Sequence, residues 1–171
     1  MTMDELKAMP RSERVVAMLG CCGARAWAET MADAMADAGG SASAADLYAA
    51  GDRAFESLAE ADWLEAFGAH PKLGDMDSLR MKFHGNAQWS AGEQAGAAAA
   101  DEATLRNLAD GNAAYEAKFG FIFILCASGL TAQQMLDALR DRLGNPREVE
   151  LRNAAEQQRR ITGLRLDKLL A

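Results

Sequence analysis

The run FGFIFIL (Phe119–Leu125) is the stretch of this chain most concentrated in aromatic and β-branched residues. A sheet needs several such runs, and a lone strand has nothing to pair with. The segment therefore reads as extended backbone outside any sheet, and the rest of the chain must fold without strands.

What surrounds it is helical sequence marked off by local stop and start signals. Thr2 with Glu5 has the spacing of a capping box. Pro10 suits the first turn of the next helix and Gly20 its end. ARAWAETMADAMADA (Ala24–Ala38) has strong helix propensity and stops at Gly39-Gly40. Ser43 with Asp46 starts a helix toward Leu58, and Glu60–Phe67 is another that ends before GAHP. Ser90 with Glu93 marks a further start, and Asp101 and Thr104 open a helix running to about Lys118. Thr131 caps a helix to Leu143 that Gly144 ends, and Asn145-Pro146 cap a long final helix. The expected fold is all-α: a single-domain bundle spanning 1–171, with roughly eight helices and one short extended segment near 119–127.

Composition narrows the function. The net charge is −7 over 171 residues, which disfavours a nucleic-acid backbone as partner, since that needs clustered Lys and Arg. The longest apolar run, Phe119–Leu130, is shorter than the ~20 residues that span a bilayer. The polar N-terminus has no signal-peptide core. Cys21, Cys22 and Cys126 give no disulfide framework, so a reducing cytoplasm is the expected location. No Cys-x-x-Cys or His-x-x-x-His pair is present, and no metal is expected.

Three places concentrate chemistry. His70 is one of two histidines and directly precedes Pro71. Proline disfavours helical backbone in the residue before it, so the imidazole sits at a rigid kink, suited either to capping a helix end or to moving a proton near neutral pH. In WSAGEQAG, Ser90-Ala91-Gly92-Glu93 forms a capping box. Gly92 and Gly96 also leave the first turn bare, open to an anion or carbonyl at its free amides or to a close-packed helix. On the last helix Ile161, Leu164, Leu166 and Leu169 define an apolar arc at ~100° per residue, with Arg165 near its middle. An arginine so placed needs an internal carboxylate or a bound anion. His84 lies in a loop, Lys72 and Asp75 read as solvated charges, and Trp27, Trp63 and Trp89 read as core.

AHPKLGD, SAGEQAG, NAAYEAKFGFIFILCASG and RITGLRLDKLL, in this order, resemble the 2-oxo-4-hydroxy-4-carboxy-5-ureidoimidazoline (OHCU) decarboxylase family, from about Asp4 to Leu169. The resemblance implies an all-α homodimer that converts OHCU to (S)-allantoin in urate breakdown, without cofactor or metal. By motif match it implies that His70 holds the catalytic histidine position and Glu93 that of a second acid/base or orienting group. It also implies substrate-lining positions for Pro71, Ser90, Ala91, Gly92, Gln94, Phe123, Ile124, Leu125, Cys126, Ala127 and Arg165. The free amides and carbonyls of an unpaired extended run suit the urea-like edge of a flat heterocycle. The competing expectation is a non-catalytic helical binding or scaffold module, with a metal-dependent hydrolase third. An enzyme needs His70, Glu93 and Arg165 on one cleft; a scaffold does not.

Overall fold

A computed structural model describes residues 1–37, 43–71, 76, 79, 80 and 94–171. Two compact units emerge, Met1–His70 with Ala155–Ala171, and Pro71–Ala154. Every regular element among the described residues is a helix, eight in all.

The first unit contains α1 (Met3–Ala8), α2 (Arg11–Cys21), α3 (Arg25–Asp37), α4 (Ala44–Glu56) and α5 (Glu60–Gly68). It also takes the residues from Ala155 onward of α8 (Arg147–Leu169). The caps are where the local pattern put them. Thr2 Oγ1 accepts from the Glu5 amide at 3.1 Å, and Ser43 does the same for Asp46 at 3.3 Å. Two stop signals are displaced: Pro10 is the N-cap of α2 rather than part of its first turn, and Gly20 lies inside that helix, which runs on to Cys21. The core gathers Leu6, Met18, Trp27, Met31 and Phe67, all at most 1 % exposed. The Trp27 indole donates to the Gly51 carbonyl at 3.0 Å. Arg14 is buried among carbonyls, donating to Ala32 within α3 at 3.0 Å and to Met9 at 2.7 Å, the latter at the C-terminal end of α1 where cations are favoured.

The second unit holds α6 (Gln94–Phe119), α7 (Ala132–Leu143) and the first turns of α8. Asp101 and Thr104 do not open a helix, because α6 passes through them unbroken from Gln94. The alanine run Ala97–Ala100 has the highest helix propensity available and carries the helix across the apparent start signal. Thr131 caps α7 through the Gln134 amide at 3.2 Å. Between α6 and α7 the chain has no regular secondary structure and pairs with no strand among the described residues, and Phe119, the first residue of the expected extended segment, still belongs to α6 because the helix ends only at Gly120.

Gly120 (φ +80°) turns the chain out of α6, and Gly129 (φ +77°) turns it again before α7. The Gly120 amide still closes on the Glu116 carbonyl at 2.9 Å, a left-handed helix terminus. An L side chain at this φ costs about 1–2 kcal/mol. Gly120→Ala is therefore expected to lower the denaturant midpoint by that free energy with an unchanged m-value; an unshifted midpoint would show that the turn tolerates a side chain.

Candidate active site

His70 follows directly on α5. Its amide still bonds the Phe67 carbonyl at 3.1 Å, and Pro71 then prevents another helical turn. The turn between α2 and α3 packs against the same point: a Cβ on Gly23 would run into Ala69, so only glycine permits this approach. That contact brings Cys21 and Cys22 to the end of α5.

The other wall of this corner is α8. Gln158, Thr162 and Arg165 lie at i, i+4 and i+7, one face of a helix. His70 Nε2 is 2.7 Å from Gln158 Oε1. Gln158 is 0 % exposed, and its Nε2 donates to Thr162 Oγ1 at 3.3 Å. Thr162 Oγ1 in turn donates to the Gln158 backbone carbonyl at 3.0 Å. Arg165 Nη1 donates to the Cys21 carbonyl at 3.3 Å. Among the described residues Arg165 forms no ion pair, so the internal carboxylate that could have explained it structurally is not found there.

Electrostatics tie these groups together. The His70 pKa is lowered from 6.5, chiefly by burial; the Gln158 hydrogen bond opposes this and the nearby Arg165 charge adds to it. Burial pushes the Cys21 thiol up to about 11 and raises Cys22 as well. Neither thiol is a thiolate near neutral pH, so neither is poised as a nucleophile. All three cysteines are unbridged.

The structure thus brings together His70 and Arg165, two of the three groups a cleft requires. Glu93, Ser90, Ala91 and Gly92 lie outside the described residues, as do Lys72, Asp75, His84 and Trp89. Gln94 opens α6. Phe123, Ile124, Leu125, Cys126 and Ala127 lie in the non-helical segment between α6 and α7 in the second unit, and the Ile124 carbonyl there accepts from Arg142 Nη1 at 2.7 Å. Trp27 is core, as expected.

The apolar arc around Arg165 needs correction. Leu164 is 40 % exposed, and the buried stripe of α8 runs instead through Ala155, Gln158, Thr162 and Leu166. Two polar residues occupy that stripe, and the reading by hydrophobicity passed over them for that reason. Spacing was the available signal, because Gln158 and Thr162 continue the line from Ala155 to Leu166 at steps of three or four.

A separate cavity of about 100 Å³ in the same unit is lined by Tyr48, Asp52, Arg159 and Thr162 among others, but not by His70 or Arg165. Its guanidinium is already taken by Asp52 at 2.9 Å and Glu156 at 3.0 Å. Among the described residues no cluster of three His, Cys, Asp or Glu is placed to hold a metal, and no helix is long and apolar enough to cross a membrane.

Known proteins resemble this chain over most of its length. Residues 7–167 match the family described as OHCU decarboxylase. The chain is 42% identical over 154 residues to the uric acid degradation bifunctional protein TTL of Arabidopsis thaliana, covering 88% of this chain and 45% of that protein. It is thus similar to a little under half of that longer relative. It is 32% identical over 130 residues to a 2-oxo-4-hydroxy-4-carboxy-5-ureidoimidazoline decarboxylase of Amia calva, covering 73% of this chain and 71% of the relative. A crystal structure of OHCU decarboxylase in the presence of (S)-allantoin superposes with a TM-score of 0.68 at 35% identity, over 89% of this chain and 95% of the other. A structure of (S)-allantoin synthase, at 22% identity and TM-score 0.68 over 99% of this chain and 54% of that one, shares the fold. With a match that takes in nearly every residue and an imidazole and a guanidinium gathered at one corner, this chain belongs to the OHCU decarboxylase family.

Proposed function

We propose that the chain decarboxylates OHCU to (S)-allantoin, with His70 moving the proton and Arg165 holding an anionic group of the substrate. The observation that supports this best is the closeness of a neutral, half-buried imidazole to an arginine that no described carboxylate neutralises.

The chemistry asks little of a protein. The carboxyl leaves as CO2 from a carbon bonded to an electron-poor imidazoline, and the electron pair passes into the ring's C=N and C=O groups. The ring is its own electron sink. The protein orients the carboxylate, stabilises charge developing on the ring and delivers one proton to one face, which sets the chirality. His70 is largely neutral near pH 7 and so able to take and return a proton. Arg165 presents a planar fork of donors, one of which is anchored on the Cys21 carbonyl. For Glu93, Pro71, the Ser90–Gln94 turn and the backbone of Phe123–Ala127, the roles are those the family resemblance implies: a second acid/base group and the substrate lining. The same reading extends to a cytoplasmic homodimer, whose assembly sedimentation would measure.

The direct test supplies freshly generated OHCU and follows the chirality of allantoin against the racemic spontaneous background. An excess of the S enantiomer formed faster than background supports the reading, and racemic product at the background rate rejects it. Arg165→Gln is expected to raise KM about 10- to 100-fold, since a hydrogen bond to a charged group is worth about 1.5–3 kcal/mol. A KM unchanged in steady-state kinetics would free Arg165 from substrate binding.

A further inference from the structure

We propose that Gln158, fixed by Thr162, is a positioning residue that sets which nitrogen of His70 carries the proton, leaving Nδ1 as the atom that exchanges a proton with substrate. The catalytic half of this statement rests on the decarboxylase reading, whereas the tautomer itself does not.

A threonine hydroxyl has one proton to donate and lone pairs to accept with. Thr162 donates its proton to the backbone carbonyl of Gln158 at 3.0 Å. Its oxygen can then only accept from the Gln158 side chain, so the NH2 end of that amide must face Thr162, as the 3.3 Å contact has it. The amide is thereby locked with Oε1 toward His70, 2.7 Å from Nε2. Oε1 has no hydrogen to give, so Nε2 must supply one. With Nε2 protonated and the ring neutral, the lone pair falls on Nδ1.

The arrangement is sheltered. Gln158 is 0 % exposed and Thr162 only 4 %, so water does not compete for these bonds. A leucine at 158 would fill the same space and remove the acceptor, and nothing described on α8 would then hold the proton on Nε2.

The chain's two histidines make the test direct. Full-length protein with ring-15N-labelled histidine is examined by long-range proton–nitrogen correlation, with His84→Gln assigning the signals. The expected wild-type spectrum shows His70 with a protonated Nε2 and a bare Nδ1. Gln158→Leu is expected to shift the ring toward the other tautomer and lower kcat about tenfold with KM little changed. Thr162→Val is expected to shift it part of the way, and Thr162→Ser to restore the wild-type pattern. A wild-type ring protonated on Nδ1 overturns the proposal whether or not any variant folds, and so does an unaltered tautomer in folded Gln158→Leu. If wild-type protein instead shows the Nε2-protonated ring but makes no (S)-allantoin, the decarboxylase reading fails and the positioning of His70 stands.

Discussion

His70→Asn is expected to fold normally and lose about 10²–10⁴-fold in turnover above the spontaneous background, the usual worth of a positioned acid–base group. Asparagine keeps a polar planar group at the end of α5 but lacks a nitrogen that titrates near neutral pH, and it is too short to reach Gln158 as the ring does. Rates with freshly made substrate, read beside thermal melting, separate lost chemistry from lost fold. Turnover equal to wild type would remove His70 from the mechanism. The wild-type pH profile adds a second measurement. Because burial lowers the His70 pKa beneath 6.5, the acid limb of kcat/KM should lie below pH 6.5. The sign for stability follows from the same shift. The folded state holds the neutral ring better than the unfolded chain does, so this contribution is present above pH 6.5 and is lost as pH falls through the folded value. His70→Asn should abolish that part of the pH dependence, which urea melts at several pH values would reveal.

The largest stability effect is expected in the second unit, at Arg142→Met. Glu150 is 0 % exposed, and burial alone would raise its pKa. Hydrogen bonds from Arg142, from Asn145 at 2.9 Å and from the Tyr115 hydroxyl at 2.7 Å outweigh burial and hold it below the usual glutamate range. Arg142 forms the ion pair with Glu150, packs its guanidinium 4.7 Å from the Phe123 ring centre and anchors the Ile124 carbonyl. Removing it leaves an uncompensated buried carboxylate, a loss of about 3–5 kcal/mol against a typical total of 5–15. Chemical denaturation would measure this, and a shift under 1 kcal/mol would refute it. The paired change Arg142→Met with Glu150→Gln should recover part of the loss, since the stranded charge is gone.

These two cases mark what the amino-acid order reveals and where it falls silent. Thr2, Ser43 and Thr131 were legible as caps because a capping bond spans three residues and both partners appear in one short window. FGFIFIL was legible as the place where the helices break, because its residue types resist helix and no second run offers a partner, although Phe119 itself stays in α6. Arg165 stood out as a charge within an apolar arc of the last helix, although the face assigned to it was wrong at Leu164. His70 stood out through the proline after it. Its partner did not, because Gln158 lies 88 positions away and no local pattern joins a pre-proline histidine to a glutamine of the last helix. Arg142, Glu150 and Tyr115 escaped for the same reason. Each reads alone as an ordinary surface charge or core aromatic, and only tertiary folding makes them a network.

The first unit is discontinuous: seventy leading residues close upon the last seventeen. A ribosome adding about 5–20 residues per second releases His70 roughly 4–18 s before Gln158. Throughout that interval the nascent chain carries the imidazole without the amide that orients it and without the guanidinium beside it. The corner that joins imidazole, amide and guanidinium therefore assembles only when α8 seats, and not progressively as the polypeptide lengthens.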